Sequence, residues 1–110
     1  MQLTQEQQEL LNRENLNWII DRIGAGEADA TPALAIIFDK VMTDRELRKH
    51  IETMRRAGIV IASSERGYYF PTTNVELMRY IKKTSSAAKS LSESLKAARE
   101  LLRAWEREGG

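Results

Sequence analysis

The sequence predicts a mostly helical fold with one small β-hairpin, ending in a long C-terminal helix. Three observations predict it. Capping signals recur at Thr4, Thr31, Thr43 and Thr73, each just ahead of apolar residues at helical spacing. A β-branched run, Ile59-Val60-Ile61, and an aromatic run, Tyr68-Tyr69-Phe70, flank a Ser- and Gly-containing turn. From Thr73 to about Arg107 neither Gly nor Pro interrupts the chain.

The first element opens at Thr4, with Gln7 completing a capping box and Leu3 as a hydrophobic staple. Leu10, Leu11, Leu16, Ile19, Ile20 and Ile23 follow at amphipathic spacing, with a break expected near Asn12–Asn15 and an end at Gly24 and Gly26. Thr31 reads as the cap of a second helix and Pro32 as its first residue. Leu34, Ile37, Phe38 and Val41 read as its apolar face. Thr43, with Glu46, opens a third helix, in which Leu47, Ile51 and Met54 form a core-facing stripe before Gly58. Ile59–Ile61 and Tyr68–Phe70 read as the two strands of a hairpin, with the turn at 63–67 and Pro71 as a stop. Thr73 and Glu76 start the final helix.

That helix carries two seven-residue series: Ile81, Ala88, Leu95 and Leu102, and Leu77, Thr84, Leu91, Ala98 and Trp105. These are the a and d positions of a coiled-coil seam. Lys82, Lys89, Lys96 and Arg103 form an outer basic stripe. A helix of this length spans on the order of 50 Å and outruns a three-helix domain. The expectation is self-association as a homodimer or higher oligomer through Leu77, Ile81, Ala88, Leu91, Leu95, Ala98, Leu102 and Trp105. The alternative is a helix that folds back, or breaks at Ser85-Ser86, and covers the domain. The expected organisation is residues 1–72 as one domain and 73–108 as the oligomerisation helix.

Composition narrows function. Hydrophobic residues make up 42% and charged residues 30% of the 110-residue chain, as in ordinary globular proteins. No apolar run approaches the roughly 18 residues of a membrane span, and MQLTQEQQELL lacks the pattern of a secretory leader. A cytoplasmic location is expected. With no Cys there is no disulfide, thiolate nucleophile or Cys-ligated metal. His50 is the one histidine, too few for a zinc site, and is expected at the edge of the core. Glu27 and Asp29 form an acid pair with no nucleophile or phosphate loop nearby. The chain is therefore expected to be no enzyme, with no catalytic residue, cofactor or metal.

The net charge of +1 hides a gradient. Residues 1–40 carry seven acids and three bases, residues 41–75 four acids and six bases, and residues 76–110 five acids and eight bases. One basic and one acidic surface are expected.

The order helix, helix, helix, strand, turn, strand over residues 14–70 is that of a winged helix-turn-helix, with only Lys40–Thr43 joining the second and third helices. Lys49-His50-Ile51, Met54-Arg55, Gly58, Ile59-Val60-Ile61 and Gly67-Tyr68-Tyr69-Phe70 resemble the recognition helix and wing of the DNA-binding domain of biotin operon repressors and related winged helix-turn-helix proteins. The resemblance covers about residues 14–71, and nothing matches the biotin ligase domain. The remainder is similar to small winged-helix proteins of phages and mobile elements.

The resemblance implies sequence-specific binding of double-stranded DNA, with helix 44–57 in the major groove and wing 63–67 on the minor groove or backbone. The role implied is a transcriptional regulator, or a replication or packaging factor of a phage or mobile element. Arg45 and Arg48 are best placed for base edges, since arginine pairs bidentately with guanine. Lys49 suits a base or a phosphate. Thr31, Thr43, Arg55 and Arg66 complete the expected DNA-binding set. Asp44, Glu46 and Glu52 oppose phosphates, although the first two also favour the helix start. The alternative is a protein-interaction adaptor that binds no DNA.

Overall fold

The computed structural model describes residues 2–87 and 92–109. Among them the chain forms six α-helices and a three-stranded sheet. None of these helices is long and apolar enough to cross a membrane.

Helix α1 (Gln5–Arg13) has the expected capping box: Thr4 Oγ1 accepts from the Gln7 N–H at 3.1 Å, and Gln7 Oε1 accepts from the Thr4 N–H at 2.9 Å. The helix ends where expected, because Asn15 adopts φ +55°, a conformation asparagine tolerates. Helix α2 (Asn17–Ile20) follows. Leu11, Leu16, Ile19 and Ile23 are buried.

Strand β1 (Gly24–Ala25) and helix α3 (Ala33–Ile37) depart from the sequence reading. Thr31 does not cap α3. Its N–H donates to the Tyr68 carbonyl (2.8 Å), its carbonyl accepts from the Tyr68 N–H (2.9 Å), and its hydroxyl accepts from the Gly24 N–H (3.2 Å). Its strand-like pairing excludes a helix start, and Pro32 occupies the cap position instead. The apolar face differs as well. Ile36 and Ile37 are buried, whereas Leu34 and Phe38 are 75% and 78% exposed and Val41 is fully exposed. A five-residue helix has too few turns to repeat a stripe, so the adjacent isoleucines enter the core together. The Arg22 guanidinium fixes the exit by donating to the Ile36 carbonyl (2.7 Å) and to Asp39 (2.6 Å), between the rings of Trp18 and Phe38.

Helix α4 (Asp44–Arg56) follows its expected outline. Thr43 Oγ1 accepts from the Glu46 N–H at 3.1 Å, and Leu47, Ile51 and Met54 are buried. At the far end the Gly58 N–H donates to the Arg55 carbonyl and the Ile59 N–H to that of Met54. This Schellman closure needs the positive φ of Gly58, +89°.

Residues 59–61 are buried but form no strand. The Ile59 N–H closes the helix, and the Ile61 carbonyl accepts from Arg55 Nε at 2.8 Å, so ladder partners are already taken. Strand β2 is Ala62–Ser64, three residues later than expected. It pairs antiparallel with β3 (Gly67–Phe70) across a turn at Glu65-Arg66. Strand β1 joins the other edge of β3 in parallel, giving the order β1-β3-β2.

Strand β3 separates two cores. Tyr68 and Phe70 pack against the cluster of α1–α4, and Tyr69 belongs to a second cluster with Val60, Ala62, Leu77, Tyr80 and Ala98. The alternation is that of a strand covered on both faces.

The C-terminal third is not one helix. Helix α5 (Asn74–Ala87) and helix α6 (Ser92–Arg107) pack on each other, and α6 also packs on α4. A continuous helix from 73 to 107 would run about 50 Å, longer than the 43 Å of the whole molecule. Packing the halves together covers apolar stripes that a straight rod would leave in water. Leu77 and Ala98 are fully buried, and Ile81, Leu102 and Trp105 pack against the second cluster. Leu95 is half-buried. The seam positions Ala88 and Leu91 lie outside the described residues, and so does the basic-stripe residue Lys89. The alternative expectation is thus met in its fold-back onto the domain, although helix α5 runs through Ser85-Ser86 and the break does not lie there.

Candidate nucleic-acid interface

Helix α4 turns its apolar stripe inward and leaves the opposite face to charge. Arg45, Arg48 and Lys49 are three and four residues apart, hence on one face of its first turns, and all three are exposed. Arg45 and Lys49 have no ion pair among the described residues. Arg48 Nε lies 3.2 Å from Asp44, in a pair exposed on both sides. Such a pair contributes about 0.3–0.5 kcal/mol and yields readily to a stronger anion. Further along this face Glu52 holds Arg56 at 2.6 Å.

The other expected contact residues are distributed differently. Thr43 serves as the cap that fixes where α4 begins, its hydroxyl also donating to Glu46 Oε1 at 3.2 Å. Thr31 is half-buried, with both backbone groups paired to Tyr68 and its hydroxyl oxygen accepting from the Gly24 N–H. Arg55 lies ten residues, or about 15 Å of helix, beyond Arg45. Its guanidinium turns inward, Nε on the Ile61 carbonyl and Cζ 6.0 Å from the centre of the Tyr80 ring. Arg66 is exposed at the hairpin turn, where its N–H donates to Ser64 Oγ at 3.1 Å. The structure thus brings Arg45, Arg48 and Lys49 together on α4, keeps Arg66 at the hairpin turn, places Thr31 against Tyr68 of β3, and turns Arg55 toward Ile61 and the β2 side of the hairpin.

Tyr68 is a residue the sequence reading missed. Its phenol is half-buried along the flank of α4. Burial pushes its pKa above the ordinary value, with Arg55 and Arg48 pulling down and Asp44 adding to the rise. It therefore remains a neutral O–H at physiological pH. The alternation of the second strand was the available signal, since it turns Tyr68 and Tyr69 to opposite sides, but it does not say which side meets α4.

His50 is half-buried on the flank of α4. No group of three or more His, Asp and Glu side chains among the described residues is arranged to hold a metal ion. Compared with protein-family models, with curated proteins and with solved structures, the chain matches none.

Proposed function

We propose that this chain is a double-stranded DNA-binding module of the winged helix-turn-helix kind, without catalytic activity. The observation that carries the reading is the set of exposed cations Arg45, Arg48 and Lys49 on one face of α4, directly opposite its buried stripe. Helix α4 enters the major groove by its N-terminal turns, and the hairpin turn with Arg66 follows the minor groove or backbone. The sequence Thr31 bridge, α3, α4, β2 and β3, with β3 central in the sheet, supports the same reading. Such a module serves a cytoplasmic transcriptional regulator, or a replication or packaging factor of a phage or mobile element.

A specific observation favours a second reading. Leu34, Phe38 and Val41 are large, apolar and exposed beside one another in sequence on α3 and the turn after it. Exposed apolar patches mark protein-interaction sites, so an adaptor that docks another protein is the competing function.

A gel shift with random duplex separates them. DNA binding gives affinity that falls with salt at a slope of about −0.9 per phosphate contacted. Arg45→Ala and Arg48→Ala each lose about 1–3 kcal/mol at a selected site, while Arg66→Ala weakens every duplex alike and lowers the slope by about one. No retardation of any duplex at low salt refutes the DNA reading and leaves the adaptor.

A further inference from the structure

A cleft of about 470 Å³ opens between β2 and α5. Three cations line it, Arg55, Arg79 and Lys83, against two acids, Glu27 and Glu65, a balance of +1. Glu27 is already engaged, its carboxylate 3.2 Å from Arg79 Nη1. Glu65 sits exposed at the hairpin turn.

Arg55 differs from the other cations. It is half-buried, yet it has no carboxylate partner among the described residues. Its orientation is nonetheless fixed, by the Nε hydrogen bond to Ile61 and by the Tyr80 ring. A guanidinium held in this way keeps its terminal nitrogens as a planar fork, the shape that matches two oxygens of one phosphoryl group, and loses little freedom on binding. Ser63 and Ser64 of β2 line the cleft with their side chains on opposite faces of the strand, so one of the two hydroxyls faces it, and Lys83, one helical turn beyond Arg79, adds a charge at the rim. The polar groups that converge here are mainly donors, so the complementary ligand is an anion with several acceptor oxygens.

We infer that this cleft binds a phosphoryl group, with Arg55 as its fork and Lys83 and a serine hydroxyl of β2 as supporting contacts. A small phosphorylated molecule and a nucleic-acid backbone carry the same group, and the test separates them.

The full chain is titrated with pyrophosphate, and separately with a random duplex, at matched ionic strength while backbone amide resonances are followed. The expected result is a saturable shift at residues 55, 63, 64, 79 and 83. Pyrophosphate producing it assigns a small ligand, and only the duplex producing it assigns a nucleic-acid backbone. Arg55→Gln should weaken that binding by about tenfold or more, with Arg55→Lys recovering part of it. Lys83→Gln alters an exposed side chain, so it tests the site without risk to the fold, and should weaken binding about threefold to tenfold. The inference is overturned if neither titrant gives a saturable shift at these residues, or if Lys83→Gln binds as the unaltered chain does.

Discussion

At the scale of single residues, Glu76 does more than the sequence suggests. The capping box predicts that its carboxylate reaches back to the start of its own helix. Beyond that, Oε1 accepts from the Thr72 N–H and Oε2 from the Glu27 N–H, both at 2.9 Å, so one side chain ties α5 to the loop after β1. The Glu27 amide and then the Thr72 amide hold this carboxyl below the usual range. Its folded pKa is depressed, so its contribution is fully present above the unfolded value of about 4.3 and is lost as pH falls through the lower folded value. Glu76→Ala should cost about 1 kcal/mol at neutral pH, discounted for solvent screening, and should flatten the acid limb of a stability–pH curve measured by denaturant titration. An unchanged acid limb would remove Glu76 from this role. Arg55 teaches the same lesson: its spacing permits an outward contact, and only the position of the Ile61 carbonyl turns it inward.

At the scale of elements, helix α4 was legible and the segments around it were not. Its cap, its stripe and its glycine stop all act within a few residues, so local chemistry determines them. The strands depend on partners distant in sequence. Ile59–Ile61 has strand composition, but its end groups are bound by α4 before any ladder can form. Thr31-Pro32 has the form of a helix start, yet Tyr68 takes Thr31 into a bridge. Of the candidate site, the exposed face of α4 and Arg66 were readable from spacing and turn chemistry, whereas Tyr68 required knowledge of which side of β3 meets the helix. The hairpin also makes a sharp prediction. Gly67 has φ +128°, and a Cβ there would come within 2.2 Å of the Thr31 carbonyl oxygen. Gly67→Ala should cost more than about 2 kcal/mol in thermal or chemical unfolding, from backbone strain and displacement of the bridge. A loss below about 0.5 kcal/mol would show that the bridge yields freely.

At the scale of the whole molecule, heptad spacing cannot distinguish a helix that pairs with a second copy from one that pairs with its own other half. Here Leu77 and Ala98 complete an intramolecular cluster with Ile81, Leu102 and Trp105 packed against it, so these seam positions have partners without association. Sedimentation at tens of micromolar should therefore give one species at 12.6 kDa. A dimer that dissociates on Phe38→Ser would instead assign self-association to the exposed face of α3. The position of β3 has a consequence for cooperativity. A slip of one residue would turn Tyr69 toward the first cluster and Tyr68 and Phe70 toward the second, so that both cores would be mispacked at once. Neither half of the molecule can thus melt while the other keeps its wall. Calorimetry should record a single transition whose measured and van't Hoff enthalpies agree, and the slowest-exchanging amides should lie along this one strand, the common partition through which each core senses the loss of the other.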